Sequence, residues 1–436
     1  MTQQKRVHIK TFGCQMNVYD SERMMASLEA DGYASTDSPE DADLILLNTC
    51  HIREKAAEKV YSDLGRLKKI KAQNPNLQVG VTGCVAQAEG SEIIKRQPMV
   101  DLVVGPQAYH RIPDMLKNLK TGVALVDTDF PVEDKFDHME DRRKKMPLSM
   151  FLAVQEGCDK FCSFCVVPYT RGGERSRPVE KVLAEARNMV ASGVREITLL
   201  GQNVNGYHGV DEKGNEISLT ELIEKMALID GLWRIRFTTS HPNDMDDRLI
   251  EAFRDIPKLM PFLHLPIQAG SDRILKSMNR HHNRSSYLGI IERLKTARPD
   301  LALSGDFIVG FPTETDADFE DTMTIVREAG YAHGYSFKYS SRPGTPAADM
   351  DQVSPEVAAE RLLRLQAEIN AVQFEYLDRL IGKEVDVMLD KVGKYEGQIG
   401  GRTPYMFPIA IKGDVGKMGD MIKVTVKGRD HATLLG

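Results

Sequence analysis

The feature that most constrains this chain is an alternation of short apolar strands with helical stretches, and it runs twice. In the first 120 residues, 6–12, 44–47, 78–82 and 102–104 read as strands. Between them, residues 19–29 carry Met24, Met25 and Leu28 at helical spacing, 53–71 form a long helix with Val60, Leu64 and Leu67 on one side, and 91–96 a short one. Strands separated by helices require crossover connections, and therefore a parallel sheet. A second alternation starts near Leu148, with strands expected at 151–155, 196–200, 234–238, 262–265, 303–309 and 334–339. Helices are expected at 179–190, 219–228, 246–253, 285–294 and 316–328. Six such units suffice for an open or partial (β/α)6 barrel but not for a closed eight-fold one.

The final stretch differs. Ser354 and Pro355 supply a cap and a first-turn proline for a helix that ends near Leu380. Short alternating strands follow at 384–389, 397–400, 408–411, 421–427 and 431–434, separated by glycine-bearing turns, which reads as a small all-β barrel. The expected fold class is α/β. Its expected divisions are residues 1–126, a linker at 127–146, a central domain at 147–375 and a barrel at 376–436. The linker contains Pro131 and the basic run Arg142, Arg143, Lys144 and Lys145, read as a solvated segment. Residues 1–10 lack the apolar core of a signal peptide and no apolar run is long enough to span a membrane, so a cytosolic location is expected.

Six cysteines in 436 residues are too sparse for a disulfide scaffold. Their positions are more telling than their number. Cys158, Cys162 and Cys165 lie within eight residues, just past a strand, and can reach one small metal centre. No fourth cysteine follows. A structural zinc would want four protein ligands, with His241 or His264 as distant candidates. A cubane iron–sulfur cluster on three thiolates would keep one iron open, and three buried thiols are the plain alternative. Cys14, Cys50 and Cys84 each follow an expected strand, 36 and 34 residues apart. That spacing is close to one βαβ repeat. In a parallel sheet such positions share the carboxyl edge, where open α/β sheets hold ligands. Gly13, Asn48, Thr49 and Gly83 beside them suit turns that bring backbone N–H groups close. The alternative is three unrelated small apolar residues at strand ends.

The strand ends of the central domain are repeatedly polar: Gln202 and Asn203, Ser240 and His241, Gln268, Asp306 and Arg342. The carboxyl end of a barrel is where a ligand bearing amino, carboxylate and ribose groups would be held, and these residues are the candidates for cofactor binding. Ser271 and Thr313 read as cap and turn residues.

The Cys158, Cys162, Cys165 triplet resembles the signature of radical S-adenosylmethionine enzymes. The stretches 11–17, 48–50 and 82–87 resemble the N-terminal motifs of the methylthiotransferase family of those enzymes, and the last 60 residues resemble a TRAM domain, a small RNA-binding barrel. Nearly the whole chain is covered, in the family's order. The resemblance implies two [4Fe–4S] clusters: one on Cys158, Cys162 and Cys165 that cleaves S-adenosylmethionine, and one on Cys14, Cys50 and Cys84 that handles sulfur. S-adenosylmethionine would serve both as radical source, yielding a 5′-deoxyadenosyl radical, and as methyl donor. The stretches 14–17 and 48–56 favour the branch that methylthiolates C2 of N6-isopentenyladenosine next to the tRNA anticodon. Branches acting on threonylcarbamoyl-adenosine or a ribosomal protein usually differ after the first cysteine. His51 stands where that branch more often has Ser, beside the ligand and not at it. An electron-donor protein and a sulfur source are implied as further partners.

Net charge argues against RNA at first sight, since 57 basic residues face 63 acidic ones. From residue 376 onward, however, ten Lys and Arg face eight Asp and Glu. Arg402, Lys412, Lys423, Lys427 and Arg429 are candidates for phosphate contacts, and Tyr395, Tyr405 and Phe407 for stacking on unpaired bases. The basic stretches 171–177 and 276–284 are further candidates for contact with an anticodon stem–loop.

Overall fold

The computed structural model describes residues 4–51, 54–120, 122–130, 135 and 146–436. The basic run 142–145 and most of the expected linker lie outside the described residues. The chain forms two compact units. The first comprises Met1–Lys145, Glu156–Asp159 and Cys165–Arg175, and the second Met146–Gln155, Lys160–Phe164 and Ser176–Gly436.

The first unit is built on a parallel sheet of β1 (Arg6–Thr11), β2 (Ala34–Ser35), β3 (Leu44–Thr49), β4 (Gln78–Gly83), β5 (Leu102–Val104) and β6 (Leu125–Asp127). The strand order is β2-β1-β3-β4-β5-β6. β3 is buried along its whole length because both faces are covered. Leu44 and Leu46 pack with Met24 and Leu28 of α1 (Gln15–Ala30), whereas Ile45 and Leu47 pack with Val60 and Leu64 of α2 (Glu54–Gln73). Two-residue alternation along the strand thus feeds two separate apolar layers. The chain leaves β1 toward β2 on one side and returns to β3 on the other, so the sheet reverses direction between β1 and β3.

Two features differ from the expectation. β6 adds an edge strand inside the segment read as the end of a domain and the start of a linker. It carries no buried residue, although Val123 to Val126 form a short apolar run in the sequence. Cys84 does not sit in an open turn but begins a short helix, α3 (Cys84–Glu89).

The second unit starts with six parallel strands in two runs of three. β7 (Ser149–Ala153), β8 (Glu196–Leu200) and β9 (Arg234–Phe237) form the first. β10 (Phe262–His264), β11 (Ala302–Val309) and β12 (His333–Lys338) form the second. The helices Val179–Ala191, Leu219–Ala227, Asp247–Asp255, Arg284–Ala297 and Asp316–Ala329 fall between them and share one apolar core with the strands. A hairpin, His208–Val210 with Glu216–Ser218, was not foreseen.

The helix Pro355–Asp378, capped by Ser354, leads into β13 (Glu384–Val392), β14 (Gln398–Arg402), β15 (Pro408–Lys412), β16 (Met421–Thr425), β17 (Gly428–Asp430) and β18 (Thr433–Leu435). They pair in the order β16-β13-β14-β15-β18-β17, antiparallel except between β15 and β18. This sheet packs onto the parallel strands. Its core includes Ala302 and Ala332 as well as Val387, Phe407 and Ile409.

Buried charge completes the join. Glu196, Arg234 and His333 open β8, β9 and β12, so the amino ends of the parallel strands face the sheet. Arg234 donates to the carbonyls of Arg402 (2.9 Å) and Asp386 (2.8 Å), and Arg236 to those of Pro404 (2.7 Å) and Thr403 (3.1 Å). His333 donates Nε2–H to the Tyr405 carbonyl at 2.9 Å and stacks on Phe407 with ring centroids 4.0 Å apart. The turn from Arg402 to Phe407 therefore closes the amino ends of the strands and leaves their carboxyl ends for ligands.

Candidate metal centres

The register of the first sheet aligns the ends of three adjacent strands. Thr11 pairs with Asn48, Asn48 with Thr82 and Thr49 with Gly83, so Cys14, Cys50 and Cys84 follow along one carboxyl edge. Cys14 and Cys50 flank the reversal between β1 and β3, the place where sheets of this kind take ligands, and Cys84 follows the next strand. Glycine clears the edge. A Cβ on Gly13 would stand 2.1 Å from Cys50 Cβ, and one on Gly83 would stand 2.3 Å from the Thr49 carbonyl. Both glycines have φ near +90 to +100, a region side chains rarely adopt.

Cys14 is the N-cap of α1, where free N–H groups and the helix dipole favour a thiolate. A hydrogen bond with Cys50 chiefly draws the Cys14 thiol down to about 6, against burial and with help from the Arg171 charge. Burial pushes the Cys84 thiol up, and Arg171 opposes it. Cys14 Sγ lies 3.6 Å from Asn17 Oδ1. Asn17 is pinned in turn: its Nδ2 donates to the Phe12 carbonyl and its own carbonyl accepts from Asn48 Nδ2. Tyr109 donates to Asn48 Oδ1 at 3.1 Å. Among the described residues no three His, Cys, Asp or Glu side chains converge on one point as a single metal ion requires. In a cubane each thiolate takes a different iron, so three thiols on a shared rim fit the donor chemistry of a cluster.

Cys158, Cys162 and Cys165 lie on one loop after β7, within reach of one another by chain connectivity. In the first unit, Gly157 has φ +76, and a Cβ there would collide with the Gly173 carbonyl at 2.0 Å. The Cys158 N–H donates to the Gly172 carbonyl at 3.3 Å and the Val167 N–H to Cys165 Sγ at 3.5 Å. In the second unit, Lys160 pairs with Asp244 at 2.6 Å, and Asn279 donates to the Phe161 carbonyl. Ser163 bonds the backbone of Ser277 and Met278, and Arg280 Nη1 donates to Cys162 Sγ at 3.5 Å.

The polar strand-end residues of the second unit fall into two groups. Gln155 Oε1 accepts from the backbone N–H groups of Gln202 and Asn203, and Asn203 Nδ2 donates to Asp244, which also holds Lys160. Asn203 Oδ1, Ser240 Oγ and His241 Nε2 are buried without a partner among the described residues. His241 accepts the Asn243 N–H at Nδ1, so its neutral ring carries the proton on Nε2. Burial, then Arg280 and His282, drive its pKa down to about 2, which keeps the ring neutral. Three orphaned polar atoms at the carboxyl ends form a cradle suited to a polar ligand. Across the sheet, Gln268 adopts φ +81 and bridges β11 through Asp306 and Ile308, while Asp306 lies 3.6 Å from His264. Arg342 is buried.

The basic stretches divide sharply. Arg171, Arg177 and Arg280, at 4%, 5% and 5% exposure, are turned inward and cannot meet a phosphate. Arg177 donates to the Ala153 carbonyl and to Glu185, and Arg280 to the Pro266 carbonyl and Cys162. Sequence reading missed Arg280 as a neighbour of the cysteine loop, because charge alone did not disclose burial. Phe407 lies in the core against His333, and the hydroxyl of half-buried Tyr405 donates to Asp300 at 3.0 Å. Arg402 is near Asp390 and Glu196, at 3.7 and 3.9 Å, and Arg429 pairs with Asp378 at 2.6 Å. Lys412, Lys423, Lys427 and Tyr395 are exposed, Tyr395 at 62%.

Comparison with known proteins gives the following. Residues 6–105 match the family described as Uncharacterized protein family UPF0004, and residues 152–326 match the Radical SAM superfamily. The chain is 60% identical to a tRNA-2-methylthio-N(6)-dimethylallyladenosine synthase of Roseobacter denitrificans, over 98% of this chain and 97% of that one. It is 57% identical to the protein of the same name from a Ruegeria species, over 100% and 99%. Among solved structures, the radical S-adenosylmethionine methyltransferase TsrM of Kitasatospora setae superposes with a TM-score of 0.58 at 12% identity, covering 79% of this chain and 77% of that chain. The cobalamin-dependent radical enzyme OxsB gives a TM-score of 0.52 at 13% identity, covering 85% and 56%. At such identities these two share the fold.

Proposed function

The chain belongs to the family of tRNA-2-methylthio-N(6)-dimethylallyladenosine synthases, and from that premise we propose that it adds a methylthio group to C2 of N6-isopentenyladenosine beside the tRNA anticodon. The chemistry is that of radical S-adenosylmethionine enzymes, with two [4Fe–4S] clusters and S-adenosylmethionine. Cys158, Cys162 and Cys165 would hold one cluster, and Cys14, Cys50 and Cys84 the other. When bound, the first supplies the electron that cleaves S-adenosylmethionine and the second carries the sulfur to be methylated. The chain's own work is holding and exclusion. Gly13 and Gly83 leave room for a cluster at the sheet edge. Lys160, Asn279 and Arg280 hold the second cysteine loop in shape. Asn203, Ser240 and His241 offer unpaired polar atoms to the amino and carboxylate groups of S-adenosylmethionine. Gln202, Gln268, Asp306 and Arg342 complete that set at the carboxyl ends of the strands. A dry, preorganised site protects a carbon radical from side reactions.

Lys412, Lys423, Lys427 and Tyr395 face solvent and suit tRNA phosphates and an unstacked base. Arg402 would join them from the edge that packs on the parallel strands, whereas Tyr405, bonded to Asp300, belongs to that join. An electron-donor protein and a sulfur source complete the partners, in the reducing cytosol where free thiolates and tRNA coexist. What carries the reading is the meeting of three thiols, 36 and 34 residues apart, at one glycine-cleared sheet edge. The test is the nucleoside profile of a deletion strain. 2-methylthio-N6-isopentenyladenosine should vanish and its N6-isopentenyl precursor accumulate; persistence of the methylthio nucleoside refutes the reading.

A further inference from the structure

Beside Cys14, Cys50 and Cys84 lies a group of buried charges that ligation does not account for. Arg171 ends the short helix Val167–Arg171, six residues beyond Cys165, and its carbonyl is held by Gln107 at 2.9 Å. Its guanidinium Nη2 donates to Asp20 at 2.7 Å and to Asn17 Oδ1 at 3.2 Å, and Nη1 donates to Glu156. Cys14 Sγ stands 3.6 Å from the same Asn17 oxygen, and Arg171 also reaches the Cys84 thiol. Asp20 and Glu156 are 1% and 4% exposed. Lys135 lies 2.7 Å from Glu156 and 3.5 Å from Asp20. Two cations and two carboxylates thus balance one another before any thiolate forms.

Packing alone is a poor reason for such a group, because well-packed apolar residues usually serve a buried site at least as well as an ion network. The geometry gives a better one. A cluster on three thiolates brings net negative charge into a water-poor edge where charges act strongly. Arg171 contacts the asparagine beside Cys14 and also acts on the Cys84 thiol.

We infer that Arg171 is a positioning residue for the Cys14, Cys50 and Cys84 centre: its guanidinium, aimed by Asp20 and Glu156, supplies the positive charge that sets the reduction potential there. The inference rests on the two-cluster function proposed above. The sign follows from charge. A cation beside the cluster favours the reduced, more negative form and raises the potential, and a carboxylate does the opposite. Glu156 immediately precedes Gly157 and Cys158, and Arg171 follows Cys165, so the segment bearing the other cysteine set also carries the charges that tune this one.

The experiment uses the full chain with Cys158, Cys162 and Cys165 changed to Ala, reconstituted anaerobically with iron and sulfide, and a redox titration followed by electron paramagnetic resonance. In that background Arg171→Met should move the midpoint potential negative, Asp20→Asn should move it positive, and Arg171→Lys should keep it near the parent value. Arg171→Met leaves two buried carboxylates with Lys135 but without the guanidinium, and can fail to load iron. Asp20→Asn is isosteric, keeps Arg171 and carries the test by itself. A loaded Asp20→Asn variant with an unchanged potential overturns the inference, as does a positive shift in loaded Arg171→Met. A purely structural role would lower thermal stability or cluster occupancy and leave the potential of the loaded fraction where it was. If the parent background assembles no four-iron cluster at all, it is the two-cluster function that fails.

Discussion

Replacing Glu196 by Gln removes one negative charge from the join between the parallel strands and the C-terminal sheet. Glu196 is fully buried. Its oxygens lie 2.9 Å from Arg236 Nε, 3.7 Å from Arg234 Nη1 and 3.9 Å from Arg402 Nη1, and they accept from Ser149 Oγ at 2.9 Å. Glutamine keeps the shape and an acceptor, but leaves Arg234 and Arg236 as buried cations facing only carbonyls. Breaking a buried ion pair from one side costs about 3–5 kcal/mol. For a unit of this size that corresponds to a fall in Tm on the order of 10 °C. Trp233, the only tryptophan, neighbours Arg234, so its fluorescence in a urea titration reports on this joint directly. A second arm removes the charge on both sides with Glu196→Met and Arg236→Met. The double variant should lose clearly less than the sum of the single losses, since Arg236 is then no longer stranded and only Arg234 is left without its carboxylate. A Glu196→Gln cost below about 1 kcal/mol, or strict additivity in the double variant, would show that the network holds nothing together.

Three further outcomes are expected. Gly13→Ala drives a Cβ into Cys50, so anaerobically reconstituted protein should lose one cluster's iron while S-adenosylmethionine cleavage continues; iron assay and 5′-deoxyadenosine release check both halves. Charge reversal at Lys412 and Lys427 should weaken tRNA binding and lower the salt slope by roughly one unit for each phosphate no longer neutralised, as read from affinities at several salt concentrations. Burial lowers the pKa of His333 to about 4. The unfolded chain takes up that proton below about 6.5, so the contribution is full above that pH and is lost as pH falls toward 4. The unfolding free energy from urea titration should therefore decline over that window, by up to about 1.4 kcal/mol per pH unit for this group, and His333→Phe should flatten the decline.

Much of the architecture was legible from local pattern. The strand at 44–49 opens on the apolar run Leu44 to Leu47 because both its faces are covered, and the strand at 302–309 is marked by Phe307, Ile308 and Val309 at its end. β6 is a three-residue edge strand with no buried residue, and its short apolar run, Val123 to Val126, runs straight into the acidic stretch read as a linker. The two cysteine sets were legible for different reasons. Eight residues of chain bring Cys158, Cys162 and Cys165 together whatever the fold, whereas Cys14, Cys50 and Cys84 needed the βαβ repeat length to become neighbours.

The basic residues show where that legibility ended. Arg171, Arg177 and Arg280 read as a solvated RNA surface, yet each is buried against carboxylates, carbonyls or a thiol. Tyr405 and Phe407 read as stacking platforms, yet they close the amino ends of the strands beneath His333. By itself, then, the sequence determined the periodicities, the order of the domains and the two sets of three thiols, all properties of residues near in the chain or spaced by one repeat. Only the tertiary structure decided which charges face solvent and which face the cysteines. A guanidinium's role depends on partners 151 residues away, such as Asp20 for Arg171, and no local pattern records them.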